Sequence, residues 1–211
     1  MVGIVSLFVI SFATFSLIHS KNNILDNLLS VAFTQTENAG LIDLNTNRKI
    51  NDYSFKIFKN KVEFITTVPC KQLATVIDKI EKCDEIYHIP SNKEDEGMGL
   101  CAGAFMGGKR SAIVMQNTAI GVTINTLVTL TQFYRLPLPM LISYRGELGE
   151  PVACQVEMAV HTKALLEQLK IPTYHFHKEN DVQEFDSILK HTFMSNKPVA
   201  ILTDATFWNG Y

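Results

Sequence analysis

SAIVMQNTAIGVTIN, from Ser111 to Asn125, contains the transition that decides the fold. Its first six residues, through Gln116, have the composition of a strand buried on both faces. Gln116 and Asn117 end that run, and such a pair leads into or caps a following helix. Ile120 to Tyr134 then reads as a helix. On the carboxyl side come LPMLIS (138–143) as a strand and YRGELGEP (144–151) as a loop. Next is a helix over Gln155–Leu169, whose Met158, Ala159, Thr162, Leu165, Leu166 and Leu169 recur at spacings of three and four. PTYHF is a strand, Phe185, Ile188, Leu189 and Phe193 mark the last helix, and PVAIL is the last strand.

Toward the amino terminus the same alternation holds. EDEGMGLCAGAFM (94–106) is a helix of small residues, closed by GGK. EIYHI is a short strand, Leu73, Val76, Ile77 and Ile80 mark a helix, and KVEFITTV (61–68) is a strand stopped by Pro69. Ile50, Tyr53, Ser54, Ile57 and Phe58 suit one face of a further helix. Six apolar strands separated by helices predict an α/β, doubly wound, mostly parallel six-stranded sheet with helices on both faces. The loops at the carboxyl ends of such strands carry the ligand site.

Hydrophobic residues make up 46% of the 211 and charged residues 19%, the balance of a globular chain. A formal net charge of -2 advertises no basic face and argues against nucleic acid. Cys70, Cys83, Cys101 and Cys154 form no C-x-x-C pair and no finger spacing, so reduced thiols in a cytoplasm are expected and no metal site. His175 and His177 alternate in YHFH, but two such residues do not make a metal site and read as a solvated strand end.

Residues 1–46 stand apart. Met1 to Ile18 carry no charged side chain, and the first is Lys21. That length approaches the apolar run that spans a bilayer. Yet no positive flank precedes it and no clear small-x-small cleavage site follows. A membrane anchor, a leader and a start assigned too far upstream all remain open. The last is preferred, because a complete domain pattern begins near Asn47 and runs to residue 211.

Taken singly, the loops are weak signals. A Pro-Cys after a strand is usually a turn, and a glutamate at a helix start is a favourable charge on the helix dipole. Their order is more specific: VEFITTVPCKQL, KEDEGMGLCAGAFMGGK, AIVMQNTAIGVTIN, LPMLISYRGELGEP. This succession resembles the alpha subunit of sulfopyruvate decarboxylase and, more loosely, the N-terminal part of phosphonopyruvate decarboxylase. The resemblance covers about Asn47 to Leu202. It implies a thiamine-diphosphate pyrimidine-binding domain and decarboxylation of sulfopyruvate to sulfoacetaldehyde in coenzyme M biosynthesis in methanogens.

The resemblance also implies roles. One carboxyl group at the start of the small-residue helix would activate the cofactor, and Glu94 and Glu96 compete for it. A nine-residue count back from Gly103 favours Glu94; a match on the Glu-Gly step favours Glu96. Gln116, Asn117, Thr118 and Gly121 match the loop beside the cofactor, as does Asn125, whereas Ala119 and Val122 depart from it. Pro69 and Cys70 fall on a substrate-side loop. Arg145 suits a substrate anion, and an ion pair with Glu147 or Glu150 is the equally open reading.

The chain contains no Gly-Asp-Gly step, the usual mark of the diphosphate and divalent-metal site. The resemblance therefore implies a beta subunit that supplies that site and its Mg2+, with the active site between chains. Two alternatives stay open: a subunit for phosphonopyruvate or another 2-oxoacid, and a non-catalytic interaction subunit of the same fold.

Overall fold

The computed structural model describes residues 52, 54–56, 58–148, 150–177, 179–204 and 207. The N-terminal extension, residues 1–46, lies outside the described residues. The strands are β1 (Phe64–Thr67), β2 (Tyr87–Pro90), β3 (Ser111–Gln116), β4 (Leu138–Ser143), β5 (Thr173–Phe176) and β6 (Pro198–Thr203). The helices joining them are α1 (Ala74–Glu81), α2 (Glu94–Met106), α3 (Ile120–Thr126), α4 (Ala153–Gln168) and α5 (Phe185–Ser195). The described positions among 52–61 are helical as well.

All strand pairings are parallel, in the order β2-β1-β3-β4-β6-β5. Both faces are covered, and the period of two along each strand sorts the core. Ile65, Ala112, Val114, Leu141, Val199 and Ile201 face one layer with α1 and α5. Phe64, Ile113, Met115, Met140, Ile142 and Leu202 face the other, with α2, α3 and α4. Strands β3, β4 and β6 are apolar on both sides because each is central and covered twice.

One expected helix differs. Ile120–Tyr134 begins as α3 but continues from Leu127 to Gln132 as π-helix. Three threonines return their hydroxyls to carbonyls four residues back: Thr123 to Ala119 (3.0 Å), Thr129 to Asn125 (2.8 Å) and Thr131 to Leu127 (2.7 Å). Such back-bonding competes with the helical ladder and distorts it. Among the described residues no helix is long and apolar enough to cross a membrane.

The chain leaves β1 for the edge strand β2 and returns past β1 to β3. The segments after β1 and β3 therefore cover opposite faces, and the carboxyl ends of these two strands form a switch point, where open α/β sheets bind ligands. Gly97 sets how close α2 lies to β1 and β3. A Cβ there would stand 2.8 Å from Ser91 Oγ, 3.0 Å from Ile113 Cδ1 and 3.2 Å from Thr66 Cγ2. The missing side chain lets the first turn of α2, with Glu94 and Glu96, sit directly on β1 and β3.

Candidate active site

The carboxyl ends of β1, β3 and β4 meet through side chains. Cys70, buried after β1, donates its thiol to Gln116 Oε1 at 3.6 Å, and Ser143 Oγ at the end of β4 lies 3.0 Å from the same sulfur. With the thiol proton on Gln116, the hydroxyl proton of Ser143 points at Cys70. Gln116 Nε2 then donates to Thr118 Oγ1 (2.9 Å) and to Gln155 Oε1 (3.0 Å) in the first turns of α4. The chain Ser143–Cys70–Gln116–Thr118/Gln155 is consistent in donor direction and joins four segments.

Asn117 is fully buried and works as a brace. Its Nδ2 donates to Arg145 O (2.9 Å) and Thr162 Oγ1 (3.2 Å), and its Oδ1 accepts from Arg145 N (3.2 Å). This locks the loop after β3 to the loop after β4. Arg145 engages Glu150 through two guanidinium nitrogens, with Nε to Oε2 at 2.6 Å and Nη2 to Oε1. The Glu150 carboxylate also accepts from the amides of Gly146 and Val152, each at 3.1 Å. Its side chain is only 4% exposed and that of Arg145 12%. Burial pushes the Glu150 carboxyl up, but the Arg145 hydrogen bonds, the two amides and the ion pair outweigh it and hold it below its ordinary value. Of the two ion-pair partners open to Arg145, Glu150 is the one engaged.

The sign of that shift predicts acid sensitivity. A depressed carboxyl contributes stability that is present above its unfolded value and lost as pH falls through the folded value. Protection of the Gly146 and Val152 amides from hydrogen exchange should therefore fall below the ordinary carboxylate range before that of β3. Equal loss at both places would remove Glu150 as the loop's anchor.

Cys70, Gln116, Asn117, Thr118 and Arg145 are brought together. The other expected site residues stand outside that network. Pro69 is exposed beside Cys70. Gly121 is exposed on α3, with nothing within 4 Å of where a Cβ would be. Glu94 is half-buried at the start of α2, whereas Glu96 is exposed and its Oε2 accepts from Asn92 N at 3.3 Å. Among the described residues, no hydrogen bond ties either glutamate to Gln116. Ser143, Gly146 and Gln155 complete the network without having been singled out as site residues in the sequence, and Thr162, read there only as part of a helix's buried side, joins them. Gly146 had a local signal, the Arg-Gly step in YRGELGEP.

The sequence was compared with known proteins, and no family model matches it. It is 38% identical over 155 residues to a sulfopyruvate decarboxylase subunit alpha from Methanococcus maripaludis, covering 72% of this chain and 92% of that one. It is 36% identical to the subunit of the same name from Methanocaldococcus jannaschii, covering 71% and 89%. A phosphonopyruvate decarboxylase from Streptomyces viridochromogenes matches less extensively, at 28% identity over 42% of this chain and 22% of that one. Among solved structures, a 2-oxoglutarate:ferredoxin oxidoreductase from Magnetococcus marinus shares the fold, with a TM-score of 0.57 at 15% identity over 74% of this chain and 29% of that one. The identities and coverage place the chain in the family of sulfopyruvate decarboxylase alpha subunits.

Proposed function

We propose that this chain is the alpha half of a thiamine-diphosphate-dependent decarboxylase. The substrate is sulfopyruvate, the products are sulfoacetaldehyde and carbon dioxide, and the setting is coenzyme M biosynthesis in the cytoplasm. One observation carries this reading: three of the loops that bear the family's sequence pattern converge on one hydrogen-bonded network at the β1/β3 switch.

The donor set fits the pyrimidine end of the cofactor. Glu94 offers a carboxyl at a helix start fixed against the sheet by Gly97, and Gly121 leaves open space on α3. The bound cofactor supplies the electron sink for loss of carbon dioxide. Glu94 holds and returns the proton at a ring nitrogen of the aminopyrimidine. Gln116 and Thr118 form the polar wall beside it, and Cys70 with Ser143 fixes the orientation of Gln116. Arg145 orients the substrate anion. Its charge is balanced by Glu150, so it acts through the N–H groups that Glu150 leaves unused and not through net charge.

Diphosphate and Mg2+ belong to a partner subunit on this reading. Exposed apolar residues support a covered surface beside the Arg145 loop: Leu148 in that loop, Val152 just before α4, and Val156 and Val160 on α4, spaced by four. The domain from about Asn47 to residue 211 suffices for pairing. The test is carbon dioxide release from sulfopyruvate and phosphonopyruvate, measured for the chain alone and with a partner bearing the diphosphate motif. Only the complex, supplied with thiamine diphosphate and Mg2+, should turn over, with preference for sulfopyruvate. A chain lacking residues 1–45 should do the same. Turnover by the rigorously purified chain would overturn the half-site; an inert, cofactor-free complex would favour a non-catalytic subunit.

A further inference from the structure

Four potential metal ligands converge at the carboxyl ends of β4, β6 and β5. Glu147 follows β4, His175 lies near the end of β5 with His177 just beyond it, and Asp204 follows β6. One ligand atom from each lies within 4.8 Å of all the others. The sheet explains the meeting. His175 and His177 are two apart on an extended segment and project to the same side. The parallel register Phe176↔Thr203 sets them beside Asp204. The two rings lie 3.7 Å apart at their centroids.

The cluster is more than a solvated strand end. The Asp204 side chain is 3% exposed and the His175 side chain 13%. Asp204 Oδ1 accepts from Phe207 N at 2.9 Å, and Oδ2 is bonded to His177 Nδ1 and lies 3.3 Å from His175 Nε2. That Nε2 is nevertheless buried without a hydrogen-bond partner. The Tyr144 ring packs edge-on against His175, 5.0 Å between centroids. A buried ring nitrogen left unsatisfied is costly and calls for an explanation.

We propose that Glu147, His175, His177 and Asp204 form a site for a divalent transition-metal ion of the zinc class. Two imidazoles and two carboxylates are a four-ligand set for zinc, and the two carboxylates balance its charge. Ligands at about 2.1 Å on a tetrahedral ion stand about 3.4 Å apart. The His175–Asp204 separation of 3.3 Å already has that length, and one ligand atom of each of the other residues lies within 4.8 Å of the rest, so rotamer adjustments, including release of the His177–Asp204 hydrogen bond, bring the set to the ion. Magnesium prefers an octahedral shell of oxygens, so this site differs in chemistry from a diphosphate–magnesium site. Glu147 would exchange a 3.8 Å contact with Lys163 for the ion. The bound ion would clamp the loop that carries Arg145 and Glu150 to β5 and β6.

The test is equilibrium dialysis of the full-length chain against Zn2+, with metal analysis, and Co2+ as an optical probe. One ion should bind per chain and raise the melting temperature. His177→Ala, at a half-exposed position, should keep the fold and weaken binding on the order of 100-fold or more, since loss of even an outer partner costs 10–100-fold. Asp204→Asn should weaken it as well. His191→Ala and Cys154→Ser, both at exposed positions off the cluster, should leave it unchanged. Failure to bind Zn2+, binding that survives His177→Ala, or a thiolate band in the Co2+ spectrum would each overturn the site.

Discussion

Glu94→Gln in the assembled enzyme is expected to lower turnover by on the order of 100-fold or more, the contribution of a positioned acid–base group. The substitution keeps size and shape and removes the carboxyl group that, on the proposed function, would exchange a proton with the aminopyrimidine. Hydrogen–deuterium exchange at the reactive carbon of the cofactor should slow with it, while assembly with the partner is retained. The two glutamates differ in their surroundings. Glu94 is half-buried on a helix start that Gly97 presses against β1 and β3. Glu96 is exposed, and its carboxylate accepts from the Asn92 amide. Glu96→Gln should therefore lose an N-terminal helix contact and little activity. The reverse ranking would move the activating acid by two positions. Full activity in both variants would remove the carboxyl assignment altogether.

Gly146→Ala is expected to unfold the loop after β4 and to destabilise the chain by on the order of 4 kcal/mol, the sum of backbone strain and overpacking. Gly146 has a φ of +99°, a region that residues with a Cβ rarely adopt. A Cβ there would also fall 2.2 Å from Gln155 O and 2.7 Å from Ala159 Cβ. The nearest of these atoms is backbone within α4, so no side-chain rotation relieves the contact. The same residue donates its amide to Glu150, which holds Arg145. Urea denaturation measures the loss directly. A variant of unchanged midpoint, with the Arg145–Glu150 pair intact, would show that the loop has another conformation available.

The order of strands and helices was legible because hydrophobic periodicity is local. Ile65 and Phe64 point to opposite layers for the reason that any neighbours on a strand do, and the run SAIVMQ announces a strand covered twice. Where local side chains compete with the backbone, the reading was incomplete. The threonines after Ile120 carry ordinary helical spacing, but their hydroxyl bonds accompany a π-helical second half.

The candidate site divides the same way. Gln116, Asn117 and Arg145 stand out in sequence because they follow apolar strands and sit in recognisable loops. Which of them meet does not, since the contacts span long stretches of chain: Cys70 to Gln116 across 46 positions, Gln116 to Gln155 across 39, Asn117 to Arg145 across 28. Strand order and register decide those distances, and both arise from packing of the whole sheet. The histidines of YHFH show the difference most clearly. Alone they are two alternating rings at a strand end. Asp204 and Glu147 reach them only because β6 pairs with β5 and the β4 loop lies over the same edge, a neighbourhood set by nonlocal burial and not by any spacing along the chain.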